Sequence, residues 1–221
     1  MSSMLLGVLL GAAVMADEPA AALEQGQAWS VVGGRTVGER RGAFEFGVGF
    51  PQVSVAYLRG LAPRFDVGGR VSFVYAQEGM VRAIVPGLKL QGLLKFQLVD
   101  SGAISVAATF EPGPFFNVFA YGGYPYPSTT LWGFALPLGV RVGVAASSAL
   151  TLGISFDLPI WIQFGTLGGV NVPVLPGVGV EYFVKSDLLL FAKVRMGPTI
   201  RPWPYTAEFT LDASIGLGLR L

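Results

Sequence analysis

The sequence predicts an all-β protein: a closed antiparallel transmembrane β-barrel of about ten strands in an up-and-down meander, with eight or twelve strands also compatible. Three observations lead there. Charged residues make up 13% of the 221-residue chain and apolar residues 52%, whereas a soluble domain carries about 25% charge. No run of about 18 or more apolar residues occurs, so no helix is expected to span a bilayer. The third is a strict alternation, clearest in "FTLDASIGLGLRL" (Phe209–Leu221), where odd positions are apolar and even positions are mostly polar or glycine. A period of two is a strand with two unlike faces. An apolar chain without spanning helices can still enter a membrane as a barrel, because closure pairs every backbone group.

The chain divides into three expected regions. Met1–Ala16, with "MLLGVLLGAAVMA", reads as a signal peptide with a cleavage site after "VMA". Residues 17–42 are charged and aperiodic. They form a lead segment, either periplasmic or tucked into the lumen. Residues 43–221 form the barrel.

Apolar parity marks ten strands: Ala43–Phe50, Val53–Arg59, Arg64–Ala76, Gly87–Leu98, Ala103–Phe110, Leu131–Val144, Leu150–Phe164, Val172–Val184, Leu188–Met196 and Ala207–Leu221. For the first two, an alternative is one bulged strand through "GFPQ", with another strand drawn from Trp29–Arg35. The connections "GLAPR", "VDSG", "AASSA" and "KSD" are short, whereas "EPGPFFNVFAYGGYPYPSTT", "GTLGGVN" and "GPTIRPWPYT" are long. Short turns at one end and long loops at the other are expected of a bacterial membrane barrel. Aromatics sort by strand end. Phe50, Phe73, Tyr75, Phe110, Trp132, Phe134, Phe164 and Phe209 lie toward the long loops; Tyr57, Phe65, Phe96 and Tyr182 lie toward the short turns. Two aromatic girdles around an aliphatic band mark a bilayer.

In this alternation, turn asymmetry and terminal "IGLGLRL", the chain resembles the small Gram-negative outer-membrane β-barrels. The resemblance covers Ala43–Leu221 and implies an outer-membrane location, lipid as the surrounding partner, and the barrel-insertion machinery as a partner during biogenesis. Such barrels usually close on an aromatic; here the alternation runs to Leu221. Outer-membrane enzymes of similar size, such as lipases, lipid-A deacylases and surface proteases, typically rely on histidine, and this chain has none. With no cysteine either, no thiolate or imidazole metal site is expected, and no cofactor. The net charge of +1, without a basic block, gives no support for nucleic-acid binding. The expected function is therefore non-enzymatic: a structural or surface-interaction protein, or a narrow pore. The alternative is a soluble lipocalin-like barrel carrying a hydrophobic ligand.

Two sets of residues are candidate sites. Phe115, Phe116, Phe119, Tyr121, Tyr124 and Tyr126 crowd the longest loop and could contact a surface ligand. The second set is lumenal. On the polar parity, Arg70, Lys89, Lys95, Arg141, Lys193, Arg195 and Arg220 balance Glu45, Asp66, Glu111, Asp157, Glu181, Glu208 and Asp212. Setting Leu98 opposite Gly102 pairs Lys89 with Glu111, and setting Val184 opposite Leu190 pairs Glu181 with Lys193. Folding about "ASS" makes Arg141 and Asp157 diagonal neighbours and places Pro137 nearly opposite Pro159, where a single bulge could serve both. These pairs predict a lumen largely plugged by charge.

Overall fold

The computed structural model describes residues 29–77, 80–119, 129–164, 169–201 and 206–221. The expected leader, Tyr121, Tyr124, Tyr126 and the side chains of Phe119 and Glu208 lie outside what it describes. Twelve strands are present: β1 (Gly42–Phe50), β2 (Gln52–Ala62), β3 (Phe65–Gln77), β4 (Met80–Asp100), β5 (Ile104–Phe110), β6 (Gly113–Phe119), β7 (Thr129–Ala145), β8 (Leu150–Phe164), β9 (Gly169–Pro173), β10 (Leu175–Lys185), β11 (Leu188–Arg201) and β12 (Thr206–Arg220).

All pairings between these strands are antiparallel, and β1 pairs with both β2 and β12, which closes the sheet. The twelve segments make ten staves. β5 and β6 face β7 in one register, Phe110 opposite Leu138 and Gly113 opposite Ala135. β9 and β10 face β8 in one register, Asn171 opposite Trp161 and Leu175 opposite Asp157. Each interruption falls beside a proline. Glu111 N donates to Pro137 O, and Val174 N to Pro198 O, both at 2.9 Å. Proline has no N–H to return, so the ladder loses one bond at each place.

The same logic accounts for Pro137 and Pro159, which lie directly opposite each other with no shift of register. The expected bulge is absent. A residue in an antiparallel strand points its N and O toward the same neighbour. Because Pro137 O serves Glu111, its nitrogen faces the β5–β6 stave and takes nothing from β8.

Pro51 alone separates β1 from β2 as a hairpin, so "GFPQ" is not a bulge within one strand. The strands also run further than apolar parity indicates. β4 starts at Met80, and β6 lies inside the expected loop Glu111–Thr130. A ladder needs only backbone pairing; alternation stops marking it once one face is no longer required to be apolar.

The two faces of the wall differ in kind. Phe156 is 48% exposed on β8 while Asp157 is 5% and Trp161 8%. Val48, Val55, Val71, Leu88, Leu90, Leu138, Val140, Ile154, Ile215 and Leu217 are all exposed. Exposed Phe73, Tyr75, Trp132, Phe134, Phe164 and Phe209 lie toward one rim, and Tyr57, Phe96 and Tyr182 toward the other. The buried set includes Asp66, Lys89, Lys95, Arg141, Glu181 and Asp212. A soluble barrel carrying a hydrophobic ligand needs the reverse arrangement, so that alternative is set aside.

Residues 29–41 do not form a wall strand at Trp29–Arg35. They run along the inside of the short-turn end, buried from Trp29 to Val37. Along this run, Trp29 reaches Gly218 of β12, Val32 reaches Gly153 of β8 and Gly179 of β10, and Gly33 reaches Gly143 of β7. Gly34 then lies against β5, Val37 binds Asp66 of β3, and Glu39 bridges Gly60 of β2. The segment thus makes a circuit inside the wall before becoming β1. Its apolar side chains join Leu58, Leu93, Phe183, Leu189 and Phe191 in one buried cluster.

Candidate functional site

The barrel interior is the candidate site, and it has two tiers. The lower tier receives the inner segment. That segment has no sheet partners for most of its backbone, so its polar groups must be satisfied by the wall. Glu181 of β10, 0% exposed, accepts from Ser30 Oγ at 2.8 Å and from the Val32 amide. Asp66 of β3, also 0% exposed, accepts from the Val37 amide at 3.0 Å. Ser105 Oγ accepts from Gly34 N at 3.1 Å, and Gln97 Oε1 from Thr36 N at 3.2 Å. Carbonyls are met by cations: Lys95 Nζ donates to Ser30 O at 2.7 Å and Arg35 O at 2.6 Å, and Arg141 Nη1 to Val31 O at 2.8 Å. Carboxylates meet amides and cations meet carbonyls, so charges that would be costly alone are held by several hydrogen bonds each.

Space is matched as well. A cavity of about 20 Å³ remains beside Val31 and Val32, and one of about 10 Å³ beside Trp29 and Ser30. Each holds at most about one or two waters.

Above the segment lies a belt of charge that alternates in sign except where Asp212 and Glu45 fall on the paired strands β12 and β1. In order round the wall come Glu45 (β1), Arg70 (β3), Glu111 (between β5 and β6), Arg141 (β7), Asp157 (β8), Arg195 (β11) and Asp212 (β12). Arg70 binds Glu45 at 3.1 Å and also Glu111; Arg141 closes on Glu111 at 2.9 Å. Arg195 bridges Asp157 at 3.2 Å and Asp212. Arg141 joins the tiers, since its other nitrogen holds the inner segment.

The expected pairs are corrected in two places. Lys89 does not face Glu111; it faces Phe115, and its ammonium lies 5.3 Å from the Trp161 ring centroid. The β4–β5 turn is wider than "VDSG" indicates, with Asp100 opposite Ser105 and a shift between Gln97 and Val99. Glu181 does not face Lys193; it faces Phe191, because β10 is irregular between Phe183 and Lys185. Arg141 and Asp157 are diagonal neighbours, since Arg141 faces Ser155 and Gly139 faces Asp157. Their ion pairs go elsewhere: Arg141 to Glu111, Asp157 to Arg195.

The aromatic set separates too. Phe115 is not at a loop tip: it is buried in the lumen with Leu131, Ala135 and Trp161, its ring 6.2 Å from that of Trp161. Phe116 faces outward on β6, 48% exposed. Ser30, Val32 and Val37, which carry much of the lower tier by donating to Glu181 and Asp66, are not marked by any signal in the sequence. Among the described residues, no group of three or more His, Cys, Asp or Glu is placed to hold a metal.

No protein-family model matches the chain, and no curated protein does. Solved structures to which it is similar include the N-terminal β-barrel domain of Pseudomonas aeruginosa OprF, at 8% identity, covering 83% of this chain and 99% of that one, TM-score 0.43. The outer-membrane protease OmpT from Escherichia coli is similar at 9% identity, covering 83% and 94%, TM-score 0.41. The KdgM porin is similar at 10% identity, covering 81% and 98%, TM-score 0.38.

Proposed function

We propose that this chain is an integral, non-enzymatic barrel of the Gram-negative outer membrane whose lumen is closed by its own N-terminal segment and by paired charge. One observation carries the membrane reading: the outer face is apolar all round, with aromatics at both rims, while the inner face holds the charges. In water such a surface would drive association; in a bilayer it is the required one. Non-enzymatic status is supported by the absence of histidine and by the commitment of lumenal carboxylates to arginines or to segment amides. Closure is supported by the inner circuit and by the charge belt above it. The role that remains is structural or surface-facing, with at most a narrow water path.

Two measurements test this. Fractionation should recover the protein with outer-membrane detergent extracts and show heat-modifiable migration; recovery as a soluble periplasmic species refutes the membrane reading. In planar bilayers the full chain should show no large steady conductance, and deletion of residues 29–37 should produce one. A large conductance from the intact chain refutes closure.

A further inference from the structure

We propose that the upper lumen holds a binding site for a small oxyanion, gripped by Lys193 and Ser214. A cavity of about 30 Å³ lies on the Pro51 side of the charge belt. Four cations line it, Arg70, Arg141, Lys193 and Arg195, against two carboxylates, Glu45 and Asp212. The other carboxylates of the belt, Glu111 and Asp157, bind the arginines but lie outside its lining. The surface presented to the cavity is therefore net positive.

Lys193 differs from the arginines beside it. Each arginine has a carboxylate partner, whereas Lys193 makes no ion pair within 4.0 Å among the described residues; its ammonium lies 5.7 Å from the Phe191 ring centroid. Ser214 sits directly across from Lys193 in the β11–β12 ladder. Its hydroxyl is buried and has no hydrogen-bond partner among the described residues, as is true of the side-chain oxygen of Gln52 on the same cavity wall. Buried polar atoms are normally paired. An ammonium without an ion pair and an unpaired hydroxyl, both on residues lining a positive cavity, are groups an oxyanion takes. Gly47 on β1 lines the cavity without a side chain. The volume is roughly that of two waters, which suits the charged end of a phosphate or carboxylate and excludes a large polyanion from full entry.

The test uses the full chain purified in a zwitterionic detergent and inorganic phosphate as the probe, read by phosphorus NMR line broadening. Conductance plays no part, so failure here is separate from failure of the closed-lumen reading. Expected are saturable broadening by the wild-type protein, at least tenfold weaker binding in Lys193→Gln, and unchanged binding in Lys185→Gln, an exposed lysine at the opposite end. Heat-modifiable migration checks that each variant is folded. Should Lys193→Gln not fold, Ser214→Ala decides, with binding expected to weaken severalfold. Absence of saturable broadening by the wild-type protein, binding unchanged in the folded Lys193→Gln or Ser214→Ala variant, or displacement by equimolar chloride would overturn the proposal.

Discussion

Arg195→Met is the sharpest probe of the charge belt. Arg195 holds two carboxylates that have almost no access to water, Asp157 at 5% and Asp212 at 3% exposure. At the 3.2 Å separation from Asp157, the attraction is about 5 kcal/mol at an effective dielectric of 20 but only about 1 kcal/mol in bulk water. Part of that attraction is offset by the cost of keeping the ions dry, so the whole of it is not the expected loss. Removing one partner, however, leaves the others buried and unpaired, which typically costs about 3–5 kcal/mol. The belt therefore predicts a loss in that range. A hydrated lumen, in which each charge is separately solvated, predicts about 0–1 kcal/mol.

Urea unfolding of the barrel refolded into lipid vesicles, followed by tryptophan fluorescence, measures the difference, with equal slopes for wild type and variant as the condition for comparing them. The control is the neutral triple variant Asp157→Asn, Arg195→Met, Asp212→Asn. With neither aspartate left as an unpaired buried charge, it should recover most of the loss. A single-variant loss below about 1 kcal/mol, or a triple variant no more stable than the single, would show that these residues do not form a dry pair of bridges.

Two further outcomes are expected. Leu158, on the lipid-facing parity of β8 opposite Leu138, should cost about 2–4 kcal/mol when changed to Arg if it sits near the midplane; a neutral effect in the same vesicle assay would place that face elsewhere. The chain has no cysteine, so Val31→Cys, at a position 1% exposed, gives a clean label site on the inner segment. It should react slowly with a maleimide, and quickly once Gly153→Leu is added, because a Cβ at Gly153 would stand 2.8 Å from Val32 Cγ2; equal rates would mean the segment is not held there.

Strand existence was legible because the bilayer imposes one rule on every stave: the outward residue is apolar. That rule marks ten staves even where Pro137 and Pro198 each cost the ladder a bond. Register was not legible to the same degree. It depends on turn width and on single extra residues, such as those near Gln97 and Phe183, and neither leaves a trace in apolar parity. Because the partner of a lumenal charge depends on register, apolar parity places Lys89 and Glu181 on the right face but beside the wrong neighbours. Side chains as long as arginine add a second freedom: Arg141 and Asp157 are diagonal neighbours, yet each pairs with a group on another strand.

The inner segment is the part least legible from its own residues, since an aperiodic charged stretch reads equally well outside the barrel or within it. Its trace lies in the wall. Toward the long-loop end, inward positions on β8 and β12 carry Asp157, Trp161 and Asp212; toward the short-turn end they carry Gly153 and Gly218. On β7, Arg141 is followed inward by Gly143, and on β10 Gly179 stands beside Glu181. A ten-stave barrel is narrow enough for side chains to fill, and packed interiors do not tolerate such gaps. Small residues on several inward positions at one end therefore require something else to fill that end. Here it is the chain itself: a Cβ on Gly218 would come within 2.5 Å of Trp29, and one on Gly143 within 3.0 Å of Gly33. The carboxylates that meet the inner segment, Glu181 beside Gly179 and Asp66 on β3, then have an evident purpose. They accept hydrogen bonds from backbone amides, which only a second layer of chain inside the wall can offer.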